Sequence, residues 1–172
     1  MSGHGRGADD VGDLPVDPSL LDPVTQLYAE PFFLATTSWR LGACRRVLRP
    51  LAVAVLEVVD GLPKGPVVAS EPKVVAAMLR GTLRASDVGA RLYDGTYGLL
   101  LEDTPEDGAV WAVERVRRAL DSKPGSRVMR AGIACYPGQA LTAVEMLTAA
   151  HRALAAARQW PQDRIEVALV EP

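Results

Sequence analysis

The chain reads as an α+β domain of the ferredoxin-like palm type, a central sheet that contains an antiparallel hairpin and is flanked by helices. Two observations predict it. Apolar strand-like runs and helical stripes follow one another in the order helix-β-helix-ββ-helix-β-helix-β. Two of the strands meet across Asp94-Gly95, a pair suited to a two-residue hairpin turn.

Taken in order, Pro31 to Leu48 is expected to form a long, less regular helix and Leu51 to Val58 the first apolar strand. Pro72 to Leu83 is the next helix, and Val88–Tyr93 and Thr96–Leu101 are the arms of the hairpin. Thr104-Pro105-Glu106-Asp107 predicts a helix start, with Thr104 as N-cap, Pro105 in the first turn and acids at the positive end of the dipole. The stripe Ala109, Val113, Val116, Leu120 continues at helical spacing until Lys123-Pro124-Gly125. A strand over Arg127–Cys135 follows. Thr142-Ala-Val-Glu145 then reads as a capping box, opening a helix whose stripe Leu147, Ala150, Leu154, Ala157 faces the sheet. Ile165–Val170 is the last strand.

Composition bounds the function. The 172 residues, 48% of them hydrophobic, suffice for one domain with a proper core. A net charge of −2 leaves no electrostatic footprint for nucleic acid. Cys44 and Cys135 lie outside any C-x-x-C pattern, which argues against a zinc site and fits a reducing compartment. No apolar run approaches the ~20 residues needed to cross a bilayer, and no apolar segment marks a signal peptide. A cytoplasmic protein with no membrane partner is expected. Residues 1–18, rich in Gly and Asp, are expected to be a flexible tail, with the domain over 19–172. His151 has no second ligand at metal-binding spacing, and Trp39, Trp111 and Trp160 read as core or rim aromatics rather than base-stacking platforms.

The stretch Ala90-Arg91-Leu92-Tyr93-Asp94-Gly95-Thr96-Tyr97-Gly98-Leu99-Leu100-Leu101-Glu102-Asp103-Thr104 resembles the signature hairpin of GGDEF domains, the diguanylate cyclases, A-R-Y-G-G-D-E-F-x-x-L-L-P-x-T. Three further segments resemble the family in the same order. Asp22-Pro-Val-Thr25-Gln-Leu27 stands for D-x-L-T-x-L, and Ala131 to Pro137 for S-I-G-V-A-x-Y-P. Ala150 to Arg158 followed by Asp163-Arg164-Ile165 stands for the closing A-D-x-A-L-Y-x-A-K and G-R-N-R-V. The resemblance spans nearly everything after the first twenty residues and implies the nucleotidyl-cyclase palm fold. It also implies an upstream sensory segment, which this sequence does not show, so a signal is expected to arrive through a ligand or a partner.

The resemblance further implies a degenerate catalytic corner. Joining two nucleoside triphosphates takes metal ions held by carboxylates. Glu57 stands at the family's strand-end metal position, but Tyr93, Asp94, Gly95, Thr96 and Tyr97 replace the Gly-Gly-Asp-Glu-Phe turn, and no metal is expected there. The segment after the first strand, Asp60 to Glu71, is short and rich in Pro and Gly, and the chain has no Asn for the family's guanine pocket. Lys64 and Arg158 remain candidate phosphate contacts, with a solvated lysine and a helix C-terminal cation as the plain alternatives. No cyclase activity and no cofactor are expected.

A second family site is matched. Arg84-Ala-Ser-Asp87 stands five residues before Tyr93, as does the family's product-binding R-x-x-D, and Arg115 in Val113-Glu-Arg-Val-Arg117 stands for its third arginine. Arginine forks suit guanine O6 and N7 or a phosphate, and a carboxylate accepts from guanine N1 and N2. The spacing of Arg84 and Asp87 suggests one face at a helix end, where a surface ion pair is the alternative. The expected function is that of an inactive GGDEF-like domain that binds cyclic di-GMP through Arg84, Asp87 and Arg115 and regulates an unidentified protein. The alternatives are a nucleotide-independent scaffold, with a homodimer as one assembly, and third an altered cyclase using Glu57 and Arg158.

Overall fold

A computed structural model describes residues 16–61, 66–122 and 125–170. Seven strands and four helices follow a 3-10 turn at Pro18–Leu20: β1 (Tyr28–Ala29), α1 (Glu30–Val47), β2 (Leu51–Asp60), β3 (Val68–Ala69), α2 (Pro72–Thr82), β4 (Val88–Arg91), β5 (Tyr97–Glu102), α3 (Glu106–Asp121), β6 (Arg127–Tyr136), α4 (Ala143–Ala157) and β7 (Arg164–Val167). All strands join one sheet in the order β1-β4-β5-β2-β6-β7, with β3 added to the end of β2. Central β2 is antiparallel to β5 and β6, while the outer pairs β1–β4 and β6–β7 are parallel. This is the predicted palm. The two-residue strands β1 and β3 were not in the sequence expectation, being too short to show a period of two.

β2 is central because both of its faces are apolar. Ala52, Ala54, Leu56 and Val58 join a core with α2 and α3, while Leu51, Val53 and Val55 join a second core with α1 and α4. A strand covered on both sides reads as a continuous apolar run rather than an alternating one. The predicted stripes on α3 and α4 are buried as expected, and the Thr142–Glu145 capping box is formed.

Three local expectations are corrected. The N-cap of α3 is Pro105, in extended conformation and without a side-chain cap bond, while the Thr104 hydroxyl donates to the Glu102 carbonyl at 2.7 Å. Pro105 itself is extended, so the helix starts one residue later than the Thr-Pro pair suggests. The hairpin closes over three residues, not two. Leu92 pairs with Thr96, Gly95 donates back to Leu92, and Gly95 alone has a left-handed φ of 85°. A two-residue type I′ turn needs positive φ at both central positions, which Asp94 does not adopt. Of the core-or-rim reading of the tryptophans only the rim half stands, since Trp39, Trp111 and Trp160 are all exposed. The tail over residues 1–15, Lys64, and Lys123-Pro124 lie outside the described residues.

Close backbone approach decides how α4 sits. A Cβ at Gly132 of β6 would run into the Ala150 carbonyl oxygen and the Leu154 backbone nitrogen. Backbone cannot step aside as a flexible side chain can. On β5, a Cβ at Gly98 would come within 2.8 Å of the Phe33 ring, which is fully buried. Gly132→Ala should therefore destabilise the fold by about 3 kcal/mol or more, measured by urea unfolding. A loss under about 1 kcal/mol would mean that α4 can lift off the sheet.

Candidate functional site

The family-like positions form two groups, one on the α1/α4 face of the sheet and one at the turn between α2 and β4 and on α3. On the α1/α4 face, Glu57 extends from the end of β2, directly opposite Arg130 on β6. The end of α4 brings Arg158 over them. Arg130 Nη1 donates to Glu57 Oε1 at 3.3 Å, and Arg158 Nε and Nη2 donate to Oε2 at 2.9 and 2.7 Å. Arg130 also donates to the carbonyls of Trp160 and Pro161, which ties the α4–β7 connection to β6. The Glu57 side chain is 19% exposed and that of Arg130 only 11%.

The hairpin turn borders this corner, since Tyr97 pairs with Leu56 beside Glu57. Asp94 accepts from the backbone N–H and the hydroxyl of Thr96 at 2.9 and 2.6 Å, a self-contained turn closure. Burial pushes the Asp94 carboxyl up, but the two Thr96 bonds, with His151 and Arg158 nearby, hold it below the ordinary value of 3.8. Tyr93 projects into solvent and Thr96 is buried. Tyr97 packs under the Arg91 guanidinium, 5.1 Å from the ring centroid.

This donor set does not suit a divalent cation. Both Glu57 oxygens are taken by guanidinium donors, and Asp94 Oδ1 accepts both Thr96 bonds while Oδ2 faces His151 at 4.0 Å. Among the described residues no three His, Cys, Asp or Glu side chains gather where they could hold a metal. Two arginines supply the positive charge that a cation would otherwise bring to Glu57. Arg158 thus stands over the corner, paired with Glu57. Arg130 was missed by sequence reasoning. Its signal is the cross-strand register, legible only once β2 and β6 are known to pair Glu57 with Arg130.

The second group lies on the turn after α2 and on α3, two helices that pack together. Arg84 and Asp87 are not on a helix face, as the spacing suggested. α2 ends at Thr82, Leu83 is extended, and the four residues form a turn. Asp87 N donates to Arg84 O at 3.0 Å, and Asp87 Oδ2 accepts from Arg84 N at 2.9 Å. The carboxylate bonds to backbone and makes no ion pair with its neighbour's guanidinium. Arg40 of α1 braces the same turn, donating to Ser86 O and to Glu102 Oε2, both at 2.6 Å. Arg115 lies exposed on α3. Among the described residues, the guanidinium groups of Arg84 and Arg115 have no hydrogen bond or ion pair, whereas Arg117 is tied to Glu114, Asp121 and Asp163.

With this geometry the chain can be compared with known structures. The isolated GGDEF domain of YfiN (TpbB) from Pseudomonas aeruginosa matches with a TM-score of 0.75 at 24% identity, over 87% of this chain and 95% of that one. This chain has the GGDEF-domain fold. The GGDEF domain of DgcB from Caulobacter crescentus, solved in complex with cyclic di-GMP, matches with a TM-score of 0.74 at 16% identity, over 95% and 98% of the two chains. The diguanylate cyclase SiaD from Pseudomonas aeruginosa, solved with its activator SiaC, matches with a TM-score of 0.71 at 22% identity, over 87% of this chain and 62% of that one. At these identities the likeness establishes the fold. No protein-family model and no curated protein matches the chain. No helix among the described residues is long and apolar enough to cross a membrane.

Two outcomes follow from the GGDEF-fold corner. Glu57→Ala leaves the nearly buried Arg130 without its carboxylate and should cost about 2 kcal/mol in urea unfolding, while Arg158→Ala, which removes a half-exposed partner, should cost under about 1 kcal/mol. Asp94 has a depressed folded pKa, so its charge stabilises the fold above the ordinary value of 3.8, and that contribution is lost as pH falls through the lower folded value. The stability gap between wild type and Asp94→Asn should be constant above that range and close below it, read from acid titrations of both proteins.

Proposed function

We propose that this GGDEF-fold domain is a catalytically inactive signalling module that binds cyclic di-GMP through Arg84, Asp87 and Arg115 and passes the bound state to a partner protein. The observation that carries it is the Arg84–Asp87 turn: its backbone is closed by Asp87 and braced by Arg40, and the Arg84 guanidinium has no hydrogen bond or ion pair among the described residues. Arg115, exposed on α3, likewise has none among the described residues. Fixed donors with no internal acceptor suit an anionic, guanine-bearing ligand, since charge-assisted bonds form there without first breaking an ion pair. Asp87 keeps its second carboxylate oxygen for the guanine N1 and N2 hydrogens. That a GGDEF domain of DgcB has been solved with cyclic di-GMP, and SiaD with a protein activator, fits both halves of the reading.

Inactivity rests on Glu57. A carboxylate held by Arg130 and Arg158 is a poor metal ligand, and a cation would have to displace both guanidinium groups. A scaffold that binds no nucleotide is the second reading, favoured by Leu34 and Trp39, which α1 leaves exposed.

Purified protein given GTP with Mg²⁺ or Mn²⁺ should make no cyclic di-GMP by chromatography; product that disappears in Glu57→Ala would overturn the inactive reading. Calorimetric titration with cyclic di-GMP should show binding that Arg84→Ala weakens at least about tenfold, the loss of a charge-assisted bond worth ~1.5–3 kcal/mol. Asp87→Ala should weaken it at least as much, because it also opens the turn. Absence of heat at high micromolar ligand would leave the scaffold reading.

A further inference from the structure

We infer that Trp111 is a stacking platform for a base of the bound dinucleotide, with Arg118 as a further phosphate contact, so that the ligand site extends along the outer face of α3. The inference rests on the cyclic di-GMP reading of Arg84, Asp87 and Arg115.

The helix itself gives the placement. Trp111, Arg115 and Arg118 stand at i, i+4 and i+7, one stripe along α3. The stripe continues through Gly108 and Ser122 and contains no carboxylate. Of the acids on the helix, Glu114 and Asp121 both bind Arg117, on the flank that faces Asp163 and β7. The stripe therefore carries two arginines, with Asp107 one turn before Trp111 as the nearest acid on its N-terminal side.

Trp111 is 67% exposed in the middle of this stripe. Its indole contributes nothing to either core. It meets Arg118, whose Cζ lies 5.8 Å from the ring centroid. The indole keeps most of its surface exposed, one helical turn from Arg115. An aromatic surface beside two arginines offers a nucleotide what a cationic surface alone does not: a π-face for the base, with donors for phosphate next to it. Arg115 and Arg84 carry no partner among the described residues, so a ligand with two phosphates and two bases has free donors for its phosphates as well as the indole for a base. The sequence reading of Trp111 as a rim aromatic is correct about exposure and says nothing of what the arginines around it supply.

The test uses the full chain, cyclic di-GMP, calorimetry and tryptophan fluorescence. Trp111→Leu should weaken binding about tenfold, the scale of one base–aromatic stack. Trp111→Phe should retain affinity within about threefold of wild type, because a smaller ring still stacks, while losing most of the ligand-induced fluorescence change. Because the side chain is exposed, the melting temperature of each free variant should stay near that of wild type. If wild type and Trp111→Leu bind equally while Arg84→Ala does not bind, the platform is refuted and the underlying site stands. Fluorescence quenching undiminished in Trp111→Phe refutes it as well. If wild type itself does not bind, both readings fall together.

Discussion

The closeness of α4 to the sheet is the constraint on which the rest of this domain depends. Gly132 leaves no side chain on β6 beneath the helix, and the backbone of Ala150 and Leu154 takes the space. That contact sets the height of the whole helix, with Met146, Leu147, Ala150 and Leu154 pressed into the α1-side core. It also sets where the helix ends. Arg158, the C-cap residue, arrives over Glu57 because the turns before it are held against β6. A helix lifted by one methyl group would break the packing and detach the guanidinium from the corner.

The corner illustrates how the same backbone can carry a different charge arrangement. Glu57 sits at the end of a buried strand, where a lone carboxylate would be costly. Cross-strand Arg130 and the incoming Arg158 compensate it, and Arg130 spends its remaining donors on the Trp160 and Pro161 carbonyls. The cluster is thus an internal tie between β2, β6 and the α4–β7 connection. Asp94, in the turn nearby, spends its acceptors on Thr96 and shapes the hairpin.

The turn between α2 and β4 is organised the other way. There the backbone is fixed and the charges are left open: the Arg84–Asp87 turn is closed by its own carboxylate and braced by Arg40 from α1, yet the arginine heads face solvent. Arg40 also links this turn to Glu102 at the end of β5, so the turn is anchored to both the hairpin strand and the first helix. Among the described residues Glu57 is neutralised internally, whereas the guanidinium groups of Arg84 and Arg115 meet no acidic partner.

Much of this was legible in the chain itself. Apolar periodicity located every long strand and all four helices to within a few residues, because each buries a continuous stripe or run that sequence displays directly. The Thr142 capping box and the turn at Gly95 were readable because capping and positive φ are local requirements. What depended on pairing was not readable. β1 and β3 exist only because neighbouring strands offer edges. Arg130 becomes Glu57's partner only through the register of β2 against β6. Arg84 and Asp87 leave the helix because Leu83 turns extended, and their bond runs from backbone to carboxylate rather than between side chains. Residue types and local spacing determine which elements form and which chemical groups are on hand. Only tertiary packing decided which of those charges meet a partner inside the fold and which are left facing water, because that depends on groups far apart in the chain being brought within a hydrogen bond's length.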